Sequence, residues 1–319
     1  MANSWNGLLL VNKEAGFTSN DVVAKLRGIL KQKKIGHTGT LDPDAVGLLV
    51  VCLGNATRAV ELLTEHDKEY IAVVQLGIVT DTQDTTGEVL EKRDASGITH
   101  EKLSEALQAF KGDYDQIPPM YSAIRMGGKH LYELAREGRT VERKPRRVTI
   151  DAISLVDDGA LSDEHRFTME VRCSKGTYIR TLCHDIGERL GCGAAMGFLL
   201  RTAVGSFRVD QALTLTQIEA CRDDGTLTDH ILPVEGIFRG MDRVTVREEY
   251  RLPMENGNPF PLTMIREEDL EGEEDVIPLN ERYRDGEPVR VYCGKDWFGI
   301  YRYSVKTERF LVDKFFYGV

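Results

Sequence analysis

Twelve residues, Gly36 to Gly47, read GHTGTLDPDAVG, and the unbroken apolar run Leu48 to Leu53 follows at once. Three glycines and a proline in so short a stretch exclude the interior of a regular helix or strand, whereas the run behind it has the length of a buried strand. A tight loop therefore delivers two acids, Asp42 and Asp44, and one histidine, His37, to the mouth of a core element. Asp42 precedes Pro43, which pushes its backbone out of the helical region and narrows where its carboxylate can point. Such an acid is a candidate catalytic group. An Asp-Pro pair is also ordinary turn chemistry, so the rest of the chain has to decide.

A length of 319 residues suits about two domains, and 41% hydrophobic with 29% charged residues is the balance of a soluble globular protein. The amino terminus, MANSWNGLLLVNK, has no basic start before its short apolar run and resembles neither a signal nor a transit peptide, and nothing looks like a membrane span. The six cysteines are scattered without C-x-x-C spacing, which reads as reduced core residues of a cytoplasmic protein rather than as a metal or redox site.

A net charge of −10 argues against a nucleic-acid partner, because phosphate neutralisation dominates such affinities. Its distribution argues the other way. Val22 to Ile35 holds five basic residues and no acid, directly before the central loop, and Pro118 to Arg147 holds eight lysines and arginines against three glutamates. The acids gather in the last third, above all in REEDLEGEED, Arg266 to Asp275, for which a solvated loop is the default reading.

Along the chain, Gly7 to Val11 reads as a strand, and Ser19 is placed to cap a helix whose apolar face is Val22, Val23, Leu26, Ile29 and Leu30. Asn55 is placed to cap a short helix through Leu63. Glu69 to Ile78 alternates as a strand with Tyr70 near its start, Thr80 to Glu88 is a polar turn cluster, and Thr99 to Phe110 is an amphipathic helix. Gln116 to Arg147, with Pro-Pro, Gly-Gly and a helix from Lys129 to Glu137, is too polar for core and fits an excursion that clamps an anion or simply a solvated face. Strands at Arg147 to Val156 and Phe167 to Cys173 follow, then a helix Tyr178 to Leu190 and a Thr216–Glu219 capping box. From Gly236 on, short alternating strands (Arg243 to Val246, Val289 to Cys293, Trp297 to Tyr303, Arg309 to Phe315) indicate a separate β domain.

A carboxylate nucleophile in a dry pocket must stay ionised although burial raises its pKa, so Asp42 requires a fixed cation. Tyr178 and Arg180 in CSKGTYIRTLCHDIGERLGCGA (Cys173 to Ala194) sit at a strand-to-helix junction, where sites in α/β architecture are usual. Taken alone, Arg180 could equally be a surface ion-pair residue and Tyr178 a packing residue.

Five stretches, GHTGTLDPDAVGLLVVCLGNATR, KEYIAVVQLG, TDTQDTTG, PPMYSAIRMGGKHLYELAREG and the Cys173 to Ala194 segment, occur in the order found in the bacterial tRNA pseudouridine-55 synthases, the TruB family, which Gly7 to Phe207 resembles. Two departures stand out. The family's early Lys-Pro is Lys13-Glu14 here, and the Leu-Ala-Thr-Gly after its Asp-Pro is Asp44-Ala45-Val46-Gly47. The resemblance implies an α+β pseudouridine synthase fold: a mixed, mainly antiparallel sheet flanked by helices over residues 1–235, a thumb-like RNA-clamping insertion at 118–147, and a small PUA-like β-barrel at 236–319. It implies isomerisation of uridine 55 in the T loop of tRNA after the base is flipped out. Asp42 would be the nucleophile, Tyr70 the ring that stacks on the base and a candidate general base, and Arg180 the partner of Asp42.

By the same resemblance His37 would fill the space of the flipped nucleotide, Tyr178 and Leu199 would wall the pocket, and Lys13, Arg125, Lys129 and Arg146 would meet the RNA. The T stem-loop would lie on the basic helix and the thumb. No cofactor, metal, guide RNA or obligatory protein partner is implied. A non-catalytic tRNA-binding protein or RNA chaperone on the same fold is the alternative, marked by a changed nucleophile, which this chain does not show. A phosphate-binding hydrolase ranks third, since the glycine-rich loop lacks a Gly-Lys-Ser/Thr ending.

Overall fold

The computed structural model describes residues 5–156, 165–266 and 283–317. The acidic run lies outside them beyond its first residue, Arg266. Strand β1 (Gly7–Lys13) leads to helix α1 (Ser19–Leu30), then to β2 (Ile35–His37), the central loop and β3 (Val46–Leu53). A 3₁₀ turn and helix α2 (Val60–Thr64) precede β4 (Lys68–Leu76), the hairpin β5 (Ile78–Thr80) and β6 (Val89–Lys92), and α3 (His100–Gln108). Next come β7 (Gly112–Gln116), a second hairpin of β8 (Arg125–Met126) and β9 (Lys129–His130), α4 (Leu131–Arg136), β10 (Arg146–Leu155) and β11 (Arg166–Cys173). Helix α5 (Ile179–Leu190), β12 (Ala194–Val204), β13 (Phe207–Arg208), α6 (Leu215–Asp224) and β14 (Ile231–Leu232) follow. The last part holds β15 (Arg243–Val246), α7 (Arg251–Glu255), β16 (Phe260–Pro261), β17 (Pro288–Cys293), β18 (Asp296–Ser304) and β19 (Arg309–Phe315).

Ten strands form one sheet in the order β14-β1-β3-β12-β4-β11-β10-β7, with β2 added to β3 and β13 to β12. Every ladder in it is antiparallel except β3–β12, so the sheet is mixed and mainly antiparallel. That single parallel seam joins the strand behind the central loop to the strand beside Tyr70.

β3 and the first five residues of β1 are apolar at every position because both faces are covered. Leu9, Val11, Leu49 and Val51 meet α1 and α6, while Leu8, Leu10, Leu48 and Val50 meet Phe238, Ile300 and Phe316 of the carboxy-terminal part. Trp297 stacks on Phe316 in that seam, with centroids 4.7 Å apart. A second sheet, β15-β17-β18-β19-β16, encloses its own core of Val244, Val291, Phe298, Tyr301 and Phe310. All four strands expected in this part are present. In the main sheet, β12 and the edge strand β7 were not expected from sequence, nor were the short strands β2, β5, β6, β8, β9, β13, β14 and β16. Among the described residues no helix is long and apolar enough to cross a membrane.

Three caps fall elsewhere than expected. Thr18, not Ser19, caps α1, and its hydroxyl and Asp21 form a capping box. Thr214 with Gln217, not Thr216 with Glu219, caps α6. In both, the residue three positions after the cap selects the threonine whose amide a side chain can reach back to. Asn55 lies inside the 3₁₀ turn, where its Oδ1 accepts from Lys34 Nζ at 2.9 Å.

Candidate active site

The central loop is held at four points by side chains and backbone from other elements. Ser19, freed from capping and 1% exposed, accepts the Leu41 N–H on its hydroxyl at 2.9 Å. Lys13 Nζ and the Gly16 amide both donate to the Pro43 carbonyl, at 2.8 and 3.0 Å. Arg201 donates to the carbonyls of Gly39 and Thr40 at 3.2 and 3.4 Å. Arg180 closes the set from the first turn of α5.

Arg180 grips Asp42 with a two-toothed fork, Nε to Oδ2 at 2.8 Å and Nη2 to Oδ1 at 3.2 Å. The same guanidinium donates to the carbonyls of Thr82 and Tyr121 at 3.0 and 2.8 Å, and the Asp84 carboxylate lies 3.8 Å from Nη1. Arg180 is thus tied to the polar turn and to the base of the thumb, and its planar fork suits a carboxylate in one orientation. Its side chain is 6% exposed and that of Asp42 is 40% exposed. The cation that the sequence reading asked for is present. The carboxylate itself, expected in a dry pocket, is partly open to solvent.

Tyr70, on β4, is 8% exposed and belongs to one buried cluster with Leu41, Ala45, Ile179 and Leu199. Burial pushes its phenol above the usual tyrosine range, partly opposed by the charge of Arg201. Tyr178 is the residue before α5, and its backbone exchanges two hydrogen bonds with the side chain of Gln116, at 2.7 and 2.9 Å. Burial raises its phenol as well, against the pull of Ser122, Arg146 and Arg180. His37 ends β2 with a buried Nδ1 that has no protein partner, and burial followed by the Arg201 charge lowers its pKa.

Asp42, Tyr70, Arg180, Tyr178 and Leu199 therefore converge. Lys13 turns inward: it is 1% exposed and its amine donates to the Glu14 and Pro43 carbonyls. Burial lowers its pKa, countered by Asp44 and Asp42. Arg146 stands at the start of β10, near Tyr178. Arg125 and Lys129 lie on the outer hairpin, where Lys129 pairs with Glu137 at 2.5 Å and Arg125 Nε meets His130 Nε2 at 3.3 Å. Gln116, Asp84 and Arg201 were not anticipated.

The fold is the pseudouridine synthase fold. A chain of a solved Cbf5-Nop10-Gar1 complex superposes with a TM-score of 0.68 at 24% identity, covering 98% of this chain and 85% of that one. A chain of an H/ACA RNP bound to a substrate RNA containing 2'-deoxyuridine gives the same TM-score at 22% identity, with the same coverage.

Sequence comparison is sharper. Residues 27–179 match the TruB family pseudouridylate synthase N-terminal domain, and residues 180–239 match the tRNA pseudouridylate synthase B C-terminal domain. The tRNA pseudouridine synthase B of Lachnoclostridium phytofermentans is 49% identical over 316 residues, 98% of this chain and 99% of that protein. Its counterpart in Alkaliphilus oremlandii is 45% identical over 308 residues, 96% of each. The chain belongs to the TruB family of pseudouridylate synthases.

Proposed function

We propose that this protein isomerises uridine to pseudouridine in tRNA, at position 55 of the T loop. The single observation that carries the reading is the Arg180–Asp42 fork beside the buried Tyr70 and Leu199, with Tyr178 next to Arg180. It aims one carboxylate in a site whose other groups are apolar or aromatic, which suits a flipped base.

Asp42 acts as the nucleophile. The bond between uracil N1 and the ribose breaks, the base turns, a new bond forms from C5 to the same ribose carbon, any bond made to Asp42 breaks again, the C5 proton leaves and N1 takes up a proton. No atoms are gained or lost overall. Tyr70 stacks on the base. Because burial keeps its phenol neutral at physiological pH, it suits stacking and hydrogen bonding better than proton abstraction in the resting state. His37 takes the place that the flipped nucleotide vacates.

The T stem-loop lies across α1 and the thumb. Lys25, Lys31, Lys33 and Lys34 are exposed and form no ion pair among the described residues, whereas Lys129, Arg139 and Arg147 on or beside the thumb are paired with carboxylates. The unpaired lysines are the ready phosphate partners, and the thumb's cations exchange partners on binding. Residues 1–235 act as the catalytic domain with its 118–147 insertion, and 236–319 as a PUA-like RNA-contacting domain, in the cytoplasm. Carbodiimide labelling followed by reverse transcription tests the position: a stop at nucleotide 55 of a treated tRNA transcript is expected, and stops only elsewhere would refute it.

A further inference from the structure

Arg201 heads the fully buried side chains among the described residues and is 2% exposed, yet it forms no ion pair among them. A buried cation without a counter-charge is costly unless all of its N–H groups are bonded. Its bonds go to backbone carbonyls. Nε donates to the Leu48 carbonyl at 2.7 Å, Nη2 to Gly39 and Nη1 to Thr40 at 3.2 and 3.4 Å, and its charge acts on the phenol of Tyr70, its neighbour across the ladder.

Strand register explains how one side chain reaches all of these. Arg201 stands opposite Gly47 on β3, in the sheet's parallel seam, and opposite Tyr70 on β4. Gly47 has φ 102°, and a Cβ there would lie 2.9 Å from the Arg201 nitrogen and closer still to its carbonyl, so only glycine lets β12 approach the end of the loop. At Gly39 an added Cβ would lie 3.6 Å from Nη1. The charge is also felt by Lys13, Lys68 and His37, each of which Arg201 pushes toward the neutral form.

We propose that Arg201 is a positioning residue that fixes the Asp42 loop and the Tyr70 ring in one relative geometry. Arg180 holds the carboxylate, but it reaches that carboxylate from a helix and sets nothing about Tyr70. Arg201 bonds two carbonyls of the loop and stands opposite the tyrosine. This rests on the roles of Asp42 and Tyr70 given above. A lysine keeps the charge, but its single nitrogen cannot span three carbonyls.

Single-turnover conversion of a tRNA transcript, with RNA affinity measured alongside, separates positioning from scaffolding. Arg201→Lys should convert about 100-fold more slowly with its dissociation constant changed less than about threefold. On a Tyr70→Phe background the same substitution should cost less than about tenfold further, because the hydroxyl its charge acts on is gone. A loss that is fully additive with Tyr70→Phe, or one that falls mainly on RNA affinity, would overturn the proposal. Should circular dichroism show Arg201→Lys unfolded, nitrogen NMR of the arginine side chains decides: the Arg201 Nε–H should exchange slowly and shift in Tyr70→Phe, and a fast, unmoved resonance would refute the link. Wild-type protein inactive in the same assay would count against the isomerase reading, leaving the NMR result to judge Arg201.

Discussion

At the residue scale the site depends on two arginines, Arg180 on the Asp42 carboxylate and Arg201 on the carbonyls of its loop. Arg180 has three acceptors besides Asp42, namely the Thr82 and Tyr121 carbonyls and the more distant Asp84. Arg180→Lys should therefore fold but lose the fork, slowing conversion by about 10²- to 10³-fold, the range for removing one placed donor. A lysine variant within about threefold of wild type in single-turnover kinetics would show that charge alone suffices. Asp42, Tyr70 and Arg180 could be found in the sequence because each sits in a recurrent motif and the chemistry demands a carboxylate with a cation. Arg201 could not. It stands in the apolar stretch LLRTAV, and its partners are mostly backbone carbonyls, which leave no trace in residue type. Lys13 misled for the same reason, since its amine turns inward to two carbonyls.

At the element scale, glycine marks where backbones must touch. Gly47→Ala should destabilise the fold by about 1–3 kcal/mol, because the added carbon meets the β12 backbone and Leu200 and the φ of 102° opposes any side chain. Gly28→Ala, in the middle of α1 with nothing within 4 Å, should instead stabilise by about 0.5–1 kcal/mol. Urea denaturation midpoints check both, and shifts of the same sign would contradict the packing at the seam. Strand and helix periodicity placed most elements within a residue or two. It missed β12, where bulges at Met196/Phe198 and Arg201/Ala203 break the alternation, and β7, whose GDYDQ reads as loop until β10 pairs with it. The cap errors came from adjacent candidates, Thr18 beside Ser19 and Thr214 near Thr216, where only the reciprocal partner three residues on decides.

At the scale of the whole molecule, buried thiols set the alkaline limit. Burial pushes Cys52 and Cys173 up to about 12 from an ordinary 9.0. Below pH 9 these thiols are neutral in both states. Above it the unfolded chain gives up protons that the folded chain keeps, so stability falls as pH rises. Lys68, lowered to about 8 by burial, works in the opposite sense up to its unfolded 10.5, but it is one group against several thiols and the raised phenols of Tyr114 and Tyr301. The urea midpoint should therefore drop above about pH 9.0, and less steeply in a Cys52→Val, Cys173→Val variant. A flat profile would mean that the thiols are not buried as described.

The central claim, that Asp42 held by Arg180 isomerises a uridine in tRNA, has one direct measurement: release of tritium from C5 of uridine in a tRNA transcript, comparing this protein with Asp42→Asn at equal RNA occupancy. Release by the first and none by the second is the predicted result. Binding without release by either would contradict it and leave a tRNA-binding protein on the same fold.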